Sequence, residues 1–337
     1  MEDCMRLHEE WTLFEEVLTA ASLPVEKGGI GIRLAFLEKD YWVTHALRNL
    51  AESRFSEQAV FKGGTSLSKA CGVGYRFSED IDIAITSDSE RSDSQTKILV
   101  GGIGKAMSAG LEEVRMPDTR KFSKYRRAYY RYPQVSLGGE SGVMKQGLIQ
   151  LEVVSFANPY PFNKRKIGSL LRDFLLLRGY ENLVEQYGLT EFEVNVLDLG
   201  RTATEKMVSL MRQSLGNDHM GGLVAKIRHF YDLYYLLQNA QCRVYLESEA
   251  FAEDFRRLFS EDQSRFVEPL GWQGRNLLES PLVKDFDSVW ATLRPVFERE
   301  LAELAYRPLP NVEEVVASFK TIAGLLLRQP VCYAHIP

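Results

Sequence analysis

A chain of 337 residues with 45% hydrophobic and 26% charged side chains is long enough for two cored domains and has the balance of a water-soluble protein. Its formal charge of −5 excludes a uniformly basic nucleic-acid coat but leaves room for a local basic groove, because a field follows where the charges sit. The four cysteines, Cys4, Cys71, Cys242 and Cys332, are scattered without a C-x-x-C pair, which fits a reducing compartment and gives no zinc site or disulfide framework.

The opening stretch MEDCMRLHEEW carries acids where a secretory leader needs a basic and then an apolar segment. No apolar run reaches the length of a bilayer, and Cys332 with His335 are too few for a metal cage. The expectation is a cytoplasmic protein with no membrane partner.

In chain order, EEWTLFEEVLTAAS and FLEKDYWVTHALRNLAES carry apolar residues at three- and four-residue spacing and predict helices. A strand AVFKG follows, then a Gly63-Gly64 break, a short helix TSLSKAC, a loop with Gly72 and Gly74, and a strictly alternating strand DIDIAI. Residues 98–111 read as a glycine-rich helix, FSKYRRAYYRYPQVSL as extended, and GLIQLEVVSF as a strand. Pro159 and Pro161 mark a change of character. Beyond them, apart from a strand FEVNVLDL, the chain reads as amphipathic helices, chiefly RTATEKMVSLMRQ, KIRHFYDLYYLLQ, FAEDFRRLF, FDSVWATLRPVFERELAELA and VEEVVASFKTIAGLLL.

The stretch FKGGTSLSKACGVGYRFSEDIDIAI carries the chemistry. A strand that ends in Gly63-Gly64 and runs into a helix lets backbone N–H groups approach a phosphate, and the helix start adds partial positive charge. Thr65 and Ser66 fall in the first turn, where hydroxyls bond phosphate oxygens or cap the helix. The G-x-x-x-x-G-K-[ST] order of a P-loop is absent.

On the next strand, alternation turns Asp80 and Asp82 to one face and Ile81, Ile83 and Ile85 to the other. Two carboxylates forced side by side repel unless a cation lies between them, and such an oxygen pair suits Mg²⁺, with Mn²⁺ as a substitute. Glu152 is the candidate third ligand, since Gln150 and Glu152 interrupt one face of the otherwise apolar LIQLEVV. The same pattern also describes an edge strand with one solvated face.

These residues resemble the signature of the AbiEii/AbiGii-type nucleotidyltransferase toxins, within the DNA polymerase β-like superfamily: KGGTSLSK followed by RFSEDIDIAI. Three further stretches are similar to the family, LEKDYWVTHALRNL, RTATEKMVSLMRQ and KIRHFYDLYYLL, so the resemblance runs in order from Leu37 to Leu237. It implies an α+β, bilobed protein, with a polymerase β-like domain built on a small mixed sheet over 1–160. A mostly helical domain over 161–337 would complete the cleft.

The resemblance also implies metal-dependent transfer of a nucleoside monophosphate from an NTP to an acceptor, the 3′ end of tRNA in characterised members, by the toxin of a type IV pair with a cognate antitoxin. Asp80 and Asp82 would hold the metals. Lys206 would contact nucleotide, Asp232 would be the essential helical aspartate, and Arg228, one turn earlier, would share its face. Read without the resemblance, Lys206 is equally a surface lysine paired with Glu205 or with an acid one turn away, and Asp232 a structural partner of Arg228. A small-molecule or protein acceptor, and a catalytically silent binding module of the same fold, are the alternatives.

The segment RMPDTRKFSKYRRAYYRYP gathers Arg115, Arg120, Lys121, Lys124, Arg126, Arg127 and Arg131 with four tyrosines, and Lys164, Arg165 and Lys166 extend it. Interleaved basic and aromatic side chains suit an RNA backbone and unpaired bases. A hairpin with a solvated basic side gives the same pattern.

Overall fold

The computed structural model describes residues 5–78, 80–86, 91–135 and 147–327. Cys4, Cys332 and His335 lie outside them. The chain divides into two compact units, one of residues 1–72 and 77–197, the other of Val73–Arg76 with 198–337.

The first unit is built on a mixed sheet. Its elements are α1 (Trp11–Ser22), α2 (Leu34–Ala51), β1 (Ala59–Lys62), α3 (Gly63–Cys71), β2 (Asp80–Ile85), α4 (Asp93–Met107), β3 (Glu112–Val114), β4 (Arg120–Lys121), β5 (Tyr125–Arg131), β6 (Leu148–Val154), β7 (Phe162–Ile167), α5 (Leu170–Leu177), α6 (Glu181–Gln186) and β8 (Phe192–Leu197). The strand order is β3-β5-β6-β2-β1-β8-β7, with β4 paired to β5. β2 runs antiparallel to β1 and parallel to β6, and β1 runs parallel to β8.

The alternation of β2 is realised in packing. Ile81, Ile83 and Ile85 are fully buried, as are Ile149, Leu151 and Val153 on β6, while Asp80, Asp82, Gln150 and Glu152 stay half-exposed on the opposite face. Helices α2 and α4 pack against β6. Burying three isoleucines at about 1.5–3 kcal/mol each fixes which way β2 faces, because a slip of one residue would send both aspartates into the core.

Past the Pro159–Pro161 pair, where the sequence reading changes domain at 160, β7 and β8 continue the same sheet, and the unit runs to Leu197. Strand β7, FNKRKI, was not expected as a strand. As the edge strand of the sheet, it exposes Asn163, Lys164 and Lys166 and buries only Ile167, so its apolar signal is nearly nil.

The second unit is helical among the described residues: α7 (Leu199–Ser214), α8 (His219–Val224), α9 (Arg228–Gln238), α10 (Ala240–Leu246), α11 (Glu249–Arg265), α12 (Pro281–Lys284), α13 (Phe286–Leu304) and α14 (Val312–Leu327). Asp198 caps α7 through the amides of Gly200 and Arg201. The core gathers Phe230, Phe286, Trp290 and Phe319, with ring centroids 4.8–5.9 Å apart along the contacts Phe230–Trp290, Phe230–Phe319, Phe286–Trp290 and Phe286–Phe319. No helix among the described residues is long and apolar enough to cross a membrane.

Candidate active site

In the first unit the turn from β1 into α3 sets the site. Lys62 is extended and Gly63 has φ +79°, a left-handed conformation that costs other residues about 1–2 kcal/mol. A Cβ on Gly63 would lie 2.1 Å from Oδ2 of Asp82. The glycine therefore makes room for the carboxylate opposite, which the register Lys62↔Asp82 brings to the turn. Lys62, at the N-cap, offers no side-chain acceptor to the first amides of α3, which suits an incoming anion there.

Thr65 and Ser66, expected on phosphate, are buried and engaged inside the fold. Thr65 donates its hydroxyl to the carbonyl of Asp80 at 2.5 Å, and Ser66 donates to the carbonyl of Gly63 at 2.9 Å. Thr65 thus joins α3 to the first residue of β2, which locks the glycine turn to the aspartate strand.

Asp80 and Asp82 stand beside Gln150 and Glu152 in the parallel register Asp80↔Gln150 and Asp82↔Glu152. The next strand adds Tyr129 opposite Gln150 and Arg127 opposite Glu152. Arg127 donates from Nε and Nη2 to Oε2 of Glu152 at 3.0 and 2.7 Å, and the Tyr125 hydroxyl donates to the same oxygen at 3.1 Å. Tyr129 donates to Oε1 of Gln150 at 2.7 Å and also reaches Asp118. The Tyr125 hydroxyl is pushed up by burial and by the Glu152 and Asp82 carboxylates.

The donor chemistry suits a hard divalent ion, with two carboxylates at i, i+2 on one half-exposed face. Among the described residues no cluster of three or more His, Cys, Asp or Glu side chains is placed to hold one. Glu152 lies beside Asp82 but gives Oε2 to Arg127 and Tyr125.

In the second unit Lys206 and Asp232 come together, on α7 and α9. Lys206 Nζ donates to Oδ2 of Asp232 at 2.7 Å, and both are buried. The residue that the sequence reading missed is Arg76. It donates from Nε to Oδ1 at 2.8 Å and from Nη2 to Oδ2 at 2.7 Å, a bidentate clasp on the same carboxylate. Burial alone would raise the Asp232 carboxyl, but Arg76 and Lys206 outweigh it and hold the group well below the usual carboxylate range.

The alternative pairings are not the ones formed. Glu205 pairs with Arg201 at 3.3 Å, and Arg228 pairs with Glu300 at 2.5 Å. Burial first, and then the Lys206 charge, push the His229 imidazole well below its ordinary value.

The basic segments separate. β5 and β7 lie five strand steps apart in the sheet order, about 24 Å at ~4.8 Å per strand, so Lys164–Lys166 do not extend the Arg115–Arg131 patch. Within β5 alternation divides the charges again: Arg127 turns to the acidic face, while Arg126 lies where a Cβ on Gly104 of α4 would come within 2.9 Å of its Nε. Lys121 and Arg126 pair with Glu113, Lys124 with Asp93, Arg131 with Glu112, and Lys164 with Glu57.

A glycine turn opening a helix, with an Asp-x-Asp pair on the antiparallel neighbouring strand of a mixed sheet, defines the class as a nucleotidyltransferase. The family model for the nucleotidyl transferase AbiEii toxin of type IV toxin–antitoxin systems matches residues 45–318. The chain belongs to that family, as a nucleotidyltransferase with an α+β fold.

Among solved structures it is similar to MenT4, the nucleotidyltransferase toxin Rv2826c from Mycobacterium tuberculosis H37Rv. The identity is 14%, the match covers 94% of this chain and 90% of that one, and the TM-score is 0.55. JHP933 from Helicobacter pylori matches at 16% identity over 86% of this chain and 93% of its own, with a TM-score of 0.38. No curated protein matches the chain.

Proposed function

We propose that the chain transfers a nucleoside monophosphate from an NTP to the 3′ end of tRNA, releasing pyrophosphate, as a cytoplasmic toxin restrained by a cognate antitoxin. The observation that carries the chemistry is the seating of Asp82 against Gly63 beside Asp80, at the start of helix α3.

In this reading the backbone of Gly63 and Gly64 receives the triphosphate, and Thr65 and Ser66 hold that turn in shape. Asp80 and Asp82 would hold Mg²⁺, with Glu152 as the candidate third ligand. When bound, the ion supplies charge neutralisation at the phosphates and acidifies the attacking hydroxyl. Lys206 adds positive charge toward developing phosphate charge, and Asp232 acts through Lys206. Arg228 contacts nucleotide by exchanging Glu300.

The RNA part of the reading is supported by exposed Arg115, Arg120, Lys121, Phe122 and Lys124 on one edge of the sheet. The ion pairs of Lys121 with Glu113 and of Lys124 with Asp93 are largely solvent-exposed, worth about 0–1 kcal/mol each, and are readily exchanged for phosphates. The test is incubation of the protein with Mg²⁺, total tRNA and each labelled NTP in turn. Label in the tRNA band supports the reading, whereas label confined to a small molecule or to protein replaces the acceptor.

A further inference from the structure

Between α3 and β2 the chain passes through Val73–Arg76, four residues that pack with the helical unit. Gly74, at φ +81°, carries this strap past the ring of Tyr231: a Cβ there would lie 3.6 Å from Tyr231 Cε1. The amide of Tyr75 donates to the Tyr231 hydroxyl at 3.1 Å, and the amide of Tyr306 donates to the carbonyl of Tyr75 at 3.0 Å. The guanidinium of Arg307 lies 3.9 Å above the Tyr75 ring, and Arg76 bridges to Ala305. Arg76 then closes on Asp232 with both nitrogens, so consecutive residues of α9, Tyr231 and Asp232, hold consecutive residues of the strap, Tyr75 and Arg76.

Both oxygens of Asp232 are thereby taken by protein cations, and the residue is 3% exposed. We infer that Asp232 is a positioning residue, and that its main partner is Arg76 of the strap leading into the Asp80–Asp82 strand, not an atom of the nucleotide or of the acceptor. Arg76 precedes Asp80 by four residues of chain, and a loosened strap is expected to slow the transfer. The inference rests on the proposed transfer reaction only in naming what such loosening would slow.

The test is hydrogen exchange on the full chain without substrate, read at the amides of Tyr75 and Tyr306. Asp232→Asn and Arg76→Gln should each speed exchange at both amides about tenfold or more, and the double variant should add little, because the two residues act as one unit. Arg76→Lys should fall between, since an ammonium cannot reproduce the bidentate clasp. Lys206→Met should leave exchange at the wild-type rate while weakening NTP binding.

Protected strap amides in Asp232→Asn, together with lost nucleotide transfer, would overturn the inference and place the carboxylate on a substrate. If Asp232→Asn does not fold, wild-type exchange in Arg76→Gln overturns it equally. A wild-type protein that transfers no nucleotide to any acceptor would remove the proposed function, and the exchange result would stand on its own.

Discussion

Replacing Gly63 by alanine tests how the turn and the aspartate pair depend on each other. The backbone at φ +79° costs an alanine about 1–2 kcal/mol, and the new methyl meets Asp82 Oδ2 at 2.1 Å and its Cβ at 3.3 Å. The carboxylate has to leave its rotamer, at roughly 0.5–1.5 kcal/mol. The sum is about 1.5–3.5 kcal/mol, or roughly 3–14 °C in melting temperature for a unit of this size. A carboxylate displaced by about 1 Å from its place lowers nucleotide transfer about a hundredfold.

Gly72→Ala is the control: it shares a positive φ, +62°, but a Cβ there meets nothing within 4 Å. It should lose about 1 kcal/mol and keep full activity. Thermal melts and labelled-nucleotide incorporation on both variants decide the matter. If the two alanines behave alike, the reasoning from Asp82 to Gly63 fails.

His45 is held down to about 3, mainly by burial and then by His8, Arg6 and Arg48, so between its ordinary value and 3 the unfolded chain binds a proton that the folded one does not. Stability should therefore fall as the pH drops from about 6.5 to 5, by about 2 kcal/mol, and His45→Gln should flatten that slope in a pH series of denaturation curves. Asp232, held low by Arg76 and Lys206, contributes stability that is complete above the ordinary carboxylate value near 3.9 and is lost only in stronger acid. Asp232→Asn, which leaves two buried cations without their carboxylate, should cost about 3–5 kcal/mol at neutral pH by thermal or denaturant unfolding. Lys121→Glu with Lys124→Glu should leave stability within about 0.5 kcal/mol and weaken labelling of tRNA at a fixed NTP concentration, with a shallower salt dependence.

Much of the first unit was legible because its signals are local. The alternation of Ile81, Ile83 and Ile85 with Asp80 and Asp82 states a strand, its buried face and a carboxylate pair in six residues. The glycine pair and its helix were equally visible, although the reason for Gly63 was not: the Asp82 carboxylate lies opposite it only because β1 and β2 pair in one register. The engagement of Glu152 by Arg127 depends likewise on the pairing of β5 with β6.

Arg76 was illegible for a different reason. Its partner Asp232 is 156 residues away, and a single arginine in a glycine-containing loop carries no periodicity to betray burial. Lys206 and Asp232 sit on segments that the sequence shows to be amphipathic helices, but their pairing crosses two helices and needs coordinates.

The most direct measurement is incorporation of a labelled nucleoside monophosphate by the wild-type protein and by the Asp80→Asn, Asp82→Asn double variant. The assay mixture holds total tRNA, Mg²⁺ and each NTP in turn. The wild type should label tRNA from at least one NTP, and the folded double variant should label nothing. Undiminished labelling by the pure double variant would contradict this.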